Sequence, residues 1–578
     1  MEMSFKLNLL YNGSSFVLPY VEDLNNMNVF PVPDGDTGSN LYSLFHAIKD
    51  YCENERIEDS TLREVILTYS RGNSGAIFSQ FILSFWSSLQ ENSPDAFIQA
   101  IEKASLKTFQ SVAEPKEGTI LTVMESWVSF MKNHKSHARN IKELLGVTLK
   151  ELKSAVEKTK EQMEILRKND VVDAGAYAFY LFVKGMASST AEVKPISNPT
   201  RLQVVDGHEL DVNNRYCVEL VIKNTVGLEG VRKELLNFGD SLSIIGDKEM
   251  ARIHIHSNAP ERIVAYIKKK AFISHQKIDD MVRQYEVKNA RKSNIAIVID
   301  SACDVPTSIL DEHQVHLIPL QIDMEGVSYL DKVTLTPETF YDEYEKISEM
   351  PKTSQPSIKK IKDMYTWLVG QYDHVISLHV SKELSGTYNL CKNIAKEVDP
   401  EKIHVVNSKT LSGSYGLLVV QLAKLIEEGF AIEEVLTKLN QYISKTEILV
   451  SVPTLKYMVK GGRVSPIVGK IGKLLNLKPI VSVDGEGKSK LYGGTVFRKS
   501  NIHAMLKQIS SIHEQYEITE YVLLHANHET LIPSLEDSLS TITGKKPLYI
   551  SNVSPVIGIH AGKGSVSVAM VLKKDNER

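Results

Sequence analysis

Apolar residues recur at helical spacing through roughly residues 5–190, with few β-branched runs, and this periodicity predicts an all-α domain. Leu41, Leu44, Phe45 and Ile48 illustrate it, since those positions fall on one face of a helix that opens near Thr37. Around 191–199 (AEVKPISNP) the periodicity fails and two prolines intervene, which marks a linker. From there to about 290 the pattern reads strand 216–222, helix 228–238, strand 241–245, strand 251–256 and helix 261–270, an α+β unit of the split βαβ kind. After Lys292 the short buried runs IAIVID, HVISLHV, KIHVVN and ILVSV alternate with helical segments, predicting an α/β domain on a largely parallel sheet. LYGGTVF and YVLLHA supply strands of a further α+β portion. The expected architecture is multidomain: an all-α domain over 1–195, a small α+β middle domain over 200–290 and an α/β domain over 294–578. No internal repeat or low-complexity tract interrupts it.

Length agrees, because 578 residues exceed the usual single-domain size and imply about three or four cores. At 42% hydrophobic and 24% charged the composition is that of a soluble globular protein, and a net charge of -4 gives no reason to expect a nucleic-acid partner. The Lys268-Lys269-Lys270 cluster reads as a solvated helix end. No window approaches the roughly 18 uninterrupted apolar residues of a membrane span, and the start lacks a signal-peptide layout, so a cytoplasmic protein with no integral membrane segment is expected. Cys52, Cys217, Cys303 and Cys391 form no CxxC pair, which predicts reduced thiols.

Candidate chemistry is densest at 28–40, NVFPVPDGDTGSN, where Asp34 and Asp36 are set on a Pro/Gly loop. Pro31 and Pro33 stop the preceding helix, Gly35 permits a tight turn, and Thr37-Gly38-Ser39-Asn40 leads into the next helix. Carboxylates take hard cations such as Mg²⁺, and a helix N-terminus can face a phosphate. A bare DGD is more often an ordinary turn, but the surrounding NVFPVPDGDTG resembles the nucleotide loop of the DhaL-type kinase family, closest to its bacterial fatty-acid kinase branch. SRGNSGAIFSQ at 70–80, PKEGTILTV at 115–123 and VVDAGA at 171–176 are similar to three more segments of that family, in the same order.

The resemblance implies a helical barrel that holds ATP in its end loops. By it, Asp34 and Asp36 carry Mg²⁺ on the phosphates. Thr37, Gly38, Ser39 and Asn40, with Gly72, Asn73, Ser74 and Gly75, contact phosphate, and Glu117, Gly118, Thr119 and Asp173 shape the nucleotide site. Arg71 is assigned to charge stabilisation, with a helix salt bridge as its alternative. Ala176 stands where the family has Gly and would narrow a close approach to nucleotide.

In the middle unit, alternation puts Arg252, His254 and His256 on one face of a strand and Ile253 and Ile255 on the other, while Cys217 shares parity with Glu219. One Cys and two His on a sheet suit Zn²⁺, although HxH with a distant Cys is weak by itself. The motifs YC, FGDSL and IHIHSN resemble the fatty-acid kinase middle domain, and that resemblance implies zinc at Cys217, His254 and His256, in a structural or assembly role.

From Asn294 the chain resembles the DegV family of bacterial fatty-acid-binding proteins, through IDSACDVP, PKTSQPS, LSGTY, KGGR, LNLKPI and SPVIGIHAGKG in order. A two-lobed α/β fold is implied, with carboxylate ligands at Thr353, Ser385 and His560, and with Gly386, Thr387 and Arg463 as further substrate positions. Hydroxyls and an imidazole orient a carboxylate, and apolar burial holds the tail at about 0.8 kcal/mol per CH₂. Lys563 and Ser567 depart from the family pattern without removing a ligand.

Kinase and lipid motifs on one chain imply transfer of the ATP γ-phosphoryl to a bound fatty acid, giving an acyl phosphate. A carboxylate is already ionised near pH 7, so no strong base is needed and positioning carries the catalysis. Family resemblance adds a homodimer and a downstream acyltransferase of phospholipid synthesis. Two rivals are a lipid carrier or regulator with an inactive kinase half, and a small-ketone kinase.

Overall fold

The computed structural model describes residues 2–29, 36–53, 59–188, 214–464 and 478–573. Asp34, the prolines beside it, the linker 191–199 and residues 475–477 lie outside the described residues. The chain divides into two compact units, Met1–Gln284 and Tyr285–Arg578.

The N-terminal part of the first unit is helical, as its periodicity requires. Helices Glu2–Val17, Ala174–Ala187, Ile141–Gln162, Ile120–His134, Pro94–Ser111, Gly72–Ser88 and Thr37–Glu53 each pack on the next, and the last returns to the first, closing a ring. Its interior is aromatic. Phe45 stacks on Phe182 at 5.5 Å, Phe81 meets Phe179 edge-on at 5.1 Å, and Trp127 meets the same Phe179 at 5.4 Å. Phe78, Phe81 and Phe85 fall three to four residues apart on one helix, which is why all three point inward. Leu41, Leu44, Phe45 and Ile48 are likewise fully buried.

Asp173 caps the helix Ala174–Ala187, accepting from Ala176 N–H at 2.7 Å, and also accepts from Ile120 N–H at 3.0 Å. Burial pushes its carboxyl up to about 6 against the pull of those two amides. Its acceptor capacity thus joins two helix N-termini, and Ala176 sits at ordinary helical φ, so the family glycine is not required there by the backbone.

The middle part holds strands β1 (Tyr216–Lys223), β2 (Asp240–Gly246), β3 (Met250–Ser257) and β4 (Phe272–Asp280), paired antiparallel in the order β2-β3-β1-β4. Helices Leu228–Leu235 and Pro260–Ile267 complete a βαββαβ unit. β4 (FISHQKIDD) is absent from the sequence reading because this edge strand carries polar residues along most of its length. Val218, Leu220, Ile253 and Ile255 form the buried apolar face. On the other face the sheet joins the helical ring: Arg252 Nη1 donates to Leu67 O at 2.7 Å, and Gly246 N–H donates to Gln80 Oε1 at 3.2 Å.

In the second unit a parallel sheet runs in the order Ile403–Asn407, His374–His379, Ile295–Asp300, His316–Ile318. ILVSV is not in it. That run forms Thr446–Ser451, which pairs antiparallel with Val566–Lys573 and Lys478–Val483 inside a six-stranded sheet. A run buried on both faces looks the same in either kind of sheet, so sequence pattern could not separate them. The helix Ser412–Glu427, buried nearly throughout, packs on the larger sheet, and its Tyr415 hydroxyl accepts from Asp300 N–H at 3.1 Å in the smaller one. No helix among the described residues is long and apolar enough to cross a membrane.

Candidate functional site

Two sites emerge, one in each unit. In the first, the helix Thr37–Glu53 starts directly after Asp36, whose carbonyl accepts from Asn40 N–H at 2.8 Å. Thr37 Oγ1 donates to Asn28 Oδ1 at 2.9 Å and lies 3.3 Å from Ser74 Oγ, so the two predicted phosphate loops touch. Gly38 is a packing requirement, since a Cβ there would lie 2.0 Å from Val21 O. Ser39 turns to Asn25 instead, its N–H donating to Asn25 Oδ1 at 3.0 Å. Gly72 adopts φ +58°, a left-handed value that favours glycine, and a Cβ would meet Asn40 Nδ2 at 2.4 Å.

The opposite wall is the polar face of the middle sheet. Register places Cys217 across from His256 and Glu219 across from His254. Cys217, His254 and His256 each offer one ligand atom, all within 4.8 Å of one another. Cys217 Sγ is 3.6 Å from His254 Nδ1, and His254 Nε2 is buried without a hydrogen-bond partner. Burial first, then His254, lowers His256 to about 3, which keeps that imidazole neutral. One thiol and two imidazoles, buried and short of partners, are a donor set that fits Zn²⁺. Asp36, Thr37, Asn40, Gly72, Asn73 and Ser74 face this cluster across one recess of about 50 Å³. That volume accommodates a few water-sized groups, the scale of a phosphoryl head or a hydrated cation rather than a nucleoside.

Glu219 ties the two walls together. Its Oε1 accepts from Gly72 N–H at 2.6 Å, and its Oε2 pairs with Arg252 Nη2 at 2.9 Å, both side chains being almost fully buried. Burial raises its pKa, but Arg252 and then Lys277 outweigh that and hold the carboxyl well below the usual range. Gly72 N–H, expected on a phosphate, is therefore spent on this carboxylate, and Gly75 N–H closes on Arg71 O at 3.0 Å. Lys277 and Asp279 of β4 also line the recess. Arg71, Glu117, Gly118, Thr119 and Asp173 do not: Thr119 precedes the helix Ile120–His134 with its hydroxyl on Lys116 O at 2.8 Å, Gly118 N–H donates to Thr122 Oγ1, and Glu117 is exposed. Sequence reasoning missed Asn28, Lys277 and Asp279; the parity it shares with Cys217 was the available signal for Glu219.

The second site is a cavity of about 590 Å³, a size usual for small-molecule sites. Ile448, Val450, Val481 and Val566 of the six-stranded sheet and Val556 and Ile557 of the helix Pro555–Ala561 give it an apolar wall. Polar groups gather at Thr353, Ser385, Gly386, Arg463 and His560. Thr353 Oγ1 is 3.3 Å from His560 Nε2, while His560 Nδ1 has no partner. Burial, with Arg463 second, lowers His560 to about 4. Arg463 Nε donates to Leu384 O at 3.2 Å. Thr387 is buried beneath the lining, its hydroxyl 2.9 Å from Ser385 Oγ.

Gln355 and Ser412 line the cavity without having been singled out from sequence, and Ser567, read there only as a departure from the family pattern, joins them. Gln355 closes over Gly386, where a Cβ would lie 2.0 Å from Gln355 Nε2. Ser412 has φ +55° and donates to the buried Asp304 Oδ2 at 2.6 Å, and Ser567 lies on the sheet wall. Asp304 Oδ1 accepts from Ser554 N–H at 3.0 Å and Asp331 Oδ1 from Val556 N–H at 3.1 Å, so two buried carboxylates anchor the start of the helix that bears His560.

A helical ring with a polar recess, joined in sequence to an α/β unit with an apolar cavity, defines a protein of two domain types, each with its own site. Family models agree. Residues 31–188 match the DAK2 domain, 213–288 the FakA-like middle domain of fatty acid kinase, and 294–573 the DegV family. A DegV domain-containing protein of Staphylococcus aureus (strain N315) is 33% identical over 278 residues, covering 48% of this chain and 98% of that protein. Protein DegV of Bacillus subtilis (strain 168) is 29% identical over 48% of this chain and 100% of its own length. Two solved structures, DegV, a fatty acid binding protein from Bacillus subtilis, and a fatty-acid-binding DegV family protein from Thermus thermophilus, are 29% and 28% identical. They cover 49% and 48% of this chain and 100% and 99% of their own, each at a TM-score of 0.45. The chain belongs to the DegV family and carries, ahead of that domain, the kinase and middle domains of a fatty-acid kinase.

Proposed function

We propose that this chain is a self-contained fatty-acid kinase, which binds a fatty acid in its second unit and converts it with ATP to an acyl phosphate. The observation that carries this reading is the pairing on one polypeptide of a DAK2-type recess lined by Asp36, Thr37 and Ser74 with an apolar cavity whose polar groups converge on His560. The match of residues 294–573 to the DegV family, whose motifs are those of fatty-acid-binding proteins, supports the lipid half.

Asp36, with Asp34 beside it in sequence, would hold Mg²⁺, which when bound neutralises phosphate charge. Thr37, Asn73 and Ser74 orient the phosphates from the starts of their two helices. Cys217, His254 and His256 would hold Zn²⁺ in the opposite wall, so the middle domain completes the recess as well as stabilising it. In the second unit Thr353 and Ser385 offer hydroxyl donors to the carboxylate, neutral His560 offers a ring nitrogen, and the apolar wall excludes water from the tail. The fatty-acid kinase resemblance supports two further parts of this reading, a homodimer and an acyltransferase that consumes the product.

Purified protein incubated with Mg·ATP, oleate and hydroxylamine tests it, because hydroxylamine traps an acyl phosphate as the hydroxamate. Hydroxamate dependent on ATP and abolished by Asp36→Asn is expected. Its absence, with lipid still bound, would leave a carrier with an inactive kinase half.

A further inference from the structure

The first-unit recess is rich in acids. Asp36, Glu219 and Asp279 line it, with the Cys217 thiol beside them, and Lys277 is the single Lys or Arg among its described lining residues. The reactants of the proposed transfer are also anions, so the recess as lined opposes them unless a cation meets the moving charge. Glu219 draws on Arg252 first for its neutralisation, paired with it at 2.9 Å in a buried contact while Gly72 N–H donates to it at 2.6 Å, and on Lys277 only second. Lys277 Nζ stands farther off, at 3.9 Å, and its close partner is the Asp279 carboxylate.

From these placements we infer that Lys277 is a catalytic residue of the phosphoryl transfer, with its ammonium leaving Asp279 to contact the γ-phosphoryl group. Three geometric facts support the exchange. Lys277 faces Glu219 in register on β4, on the sheet face that looks toward Thr37 and Ser74. Its side chain keeps 32% exposure and that of Asp279 26%, so the pair opens on the recess rather than being sealed in the sheet. The recess also has the size of a phosphoryl head, so an ammonium on its wall lies within contact range of whatever enters. A lysine suits the role as a mobile point charge on a flexible stem.

This inference rests on the fatty-acid kinase reading. In the step, a carboxylate oxygen forms a bond to the γ-phosphorus as the bond from that phosphorus to the β-phosphate oxygen breaks. The products are acyl phosphate and ADP, no proton moves, and the charge that Lys277 meets is that of the γ-phosphoryl oxygens as the group passes from ADP to the carboxylate. Positioning and charge neutralisation are what such a transfer asks of a protein.

The test uses the full chain with Lys277→Met and Lys277→Arg, each checked for zinc content and for its thermal transition. Fluorescent mant-ATP and mant-ADP report nucleotide binding, and hydroxamate trapping reports turnover. Lys277→Met is expected to lower kcat about 10²–10³-fold, the usual scale for one charge-stabilising group. It should leave mant-ADP affinity and metal content intact and reduce the preference for mant-ATP over mant-ADP. Lys277→Arg should recover a substantial part of kcat. Retention of kcat within about threefold in Lys277→Met would overturn the inference. So would joint loss of mant-ADP binding, metal and the thermal transition with no recovery by arginine, since Lys277 would then be structural. Should the unmodified protein form no hydroxamate, the kinase reading fails separately; Lys277 is then judged by the mant-ATP preference, and an unchanged preference in Lys277→Met overturns it.

Discussion

At the scale of single residues, the lipid cavity makes the sharpest claims. Thr353 and His560 approach to 3.3 Å and His560 Nδ1 has no partner, so the pair retains capacity for a ligand oxygen. A hydrogen bond of this kind contributes on the order of 1 kcal/mol net. Thr353→Ala and His560→Ala are each expected to weaken binding of a fluorescent fatty acid about five- to tenfold while leaving the protein folded, as titration would report. Because burial and Arg463 keep His560 neutral down to about pH 4, its protonation should add nothing to lipid affinity between pH 6 and 8. A steep rise in affinity on acidification across that window, lost in His560→Ala, would contradict the assignment.

Elements are held in place by buried carboxylates, and these respond to pH. Burial raises Asp331 to about 7, while its Oδ1 accepts from Val556 N–H at the start of the helix carrying His560. An aspartate titrates near 4 in the unfolded chain, so the folded state favours the protonated acid. That contribution is fully present below about pH 4 and is lost as pH rises through about 7, at a cost of up to roughly 4 kcal/mol. Asp331→Asn keeps an acceptor and removes the ionisation. Its thermal transition should exceed that of the unmodified protein at pH 8, and the margin should narrow toward pH 5. Asp173 is a second such element joint: Asp173→Ala removes the cap of one helix and the partner of Ile120 N–H, and should cost about 1–2 kcal/mol, read as a lowered denaturation midpoint. A loss of nucleotide binding without that destabilisation would return Asp173 to the nucleotide site.

For the whole molecule, tethering donor and acceptor sites on one chain raises their effective concentration when the linker lets them meet. Mixing Asp36→Asn with His560→Ala, at a fatty-acid concentration too low to fill the weakened His560→Ala cavity, separates transfer within a chain from transfer between chains, because each variant then keeps working the site the other does not. At submicromolar protein little hydroxamate is expected from the mixture, with recovery as concentration rises. Full recovery at low concentration would mean that transfer occurs between chains of a stable oligomer.

Periodicity alone determined that the N-terminal domain is helical, because Phe78, Phe81 and Phe85 can share a face only in a helix. Alternation alone put His254 and His256 on one face of their strand and Cys217 with Glu219 on the polar face of theirs, whereas the closed ring and the joint zinc set were implied by resemblance. Local pattern could do no more, since it records which side a residue takes and not what stands opposite. Only the tertiary structure decided that this surface faces Thr37 and Ser74, that Glu219 occupies Gly72 N–H, and that Asp173 caps helices outside the recess. ILVSV went to an antiparallel sheet because its neighbours, not its own residues, set strand direction. β4, with Lys277 and Asp279, escaped the reading because a strand that spends its side chains on a site loses the apolar alternation by which strands are recognised.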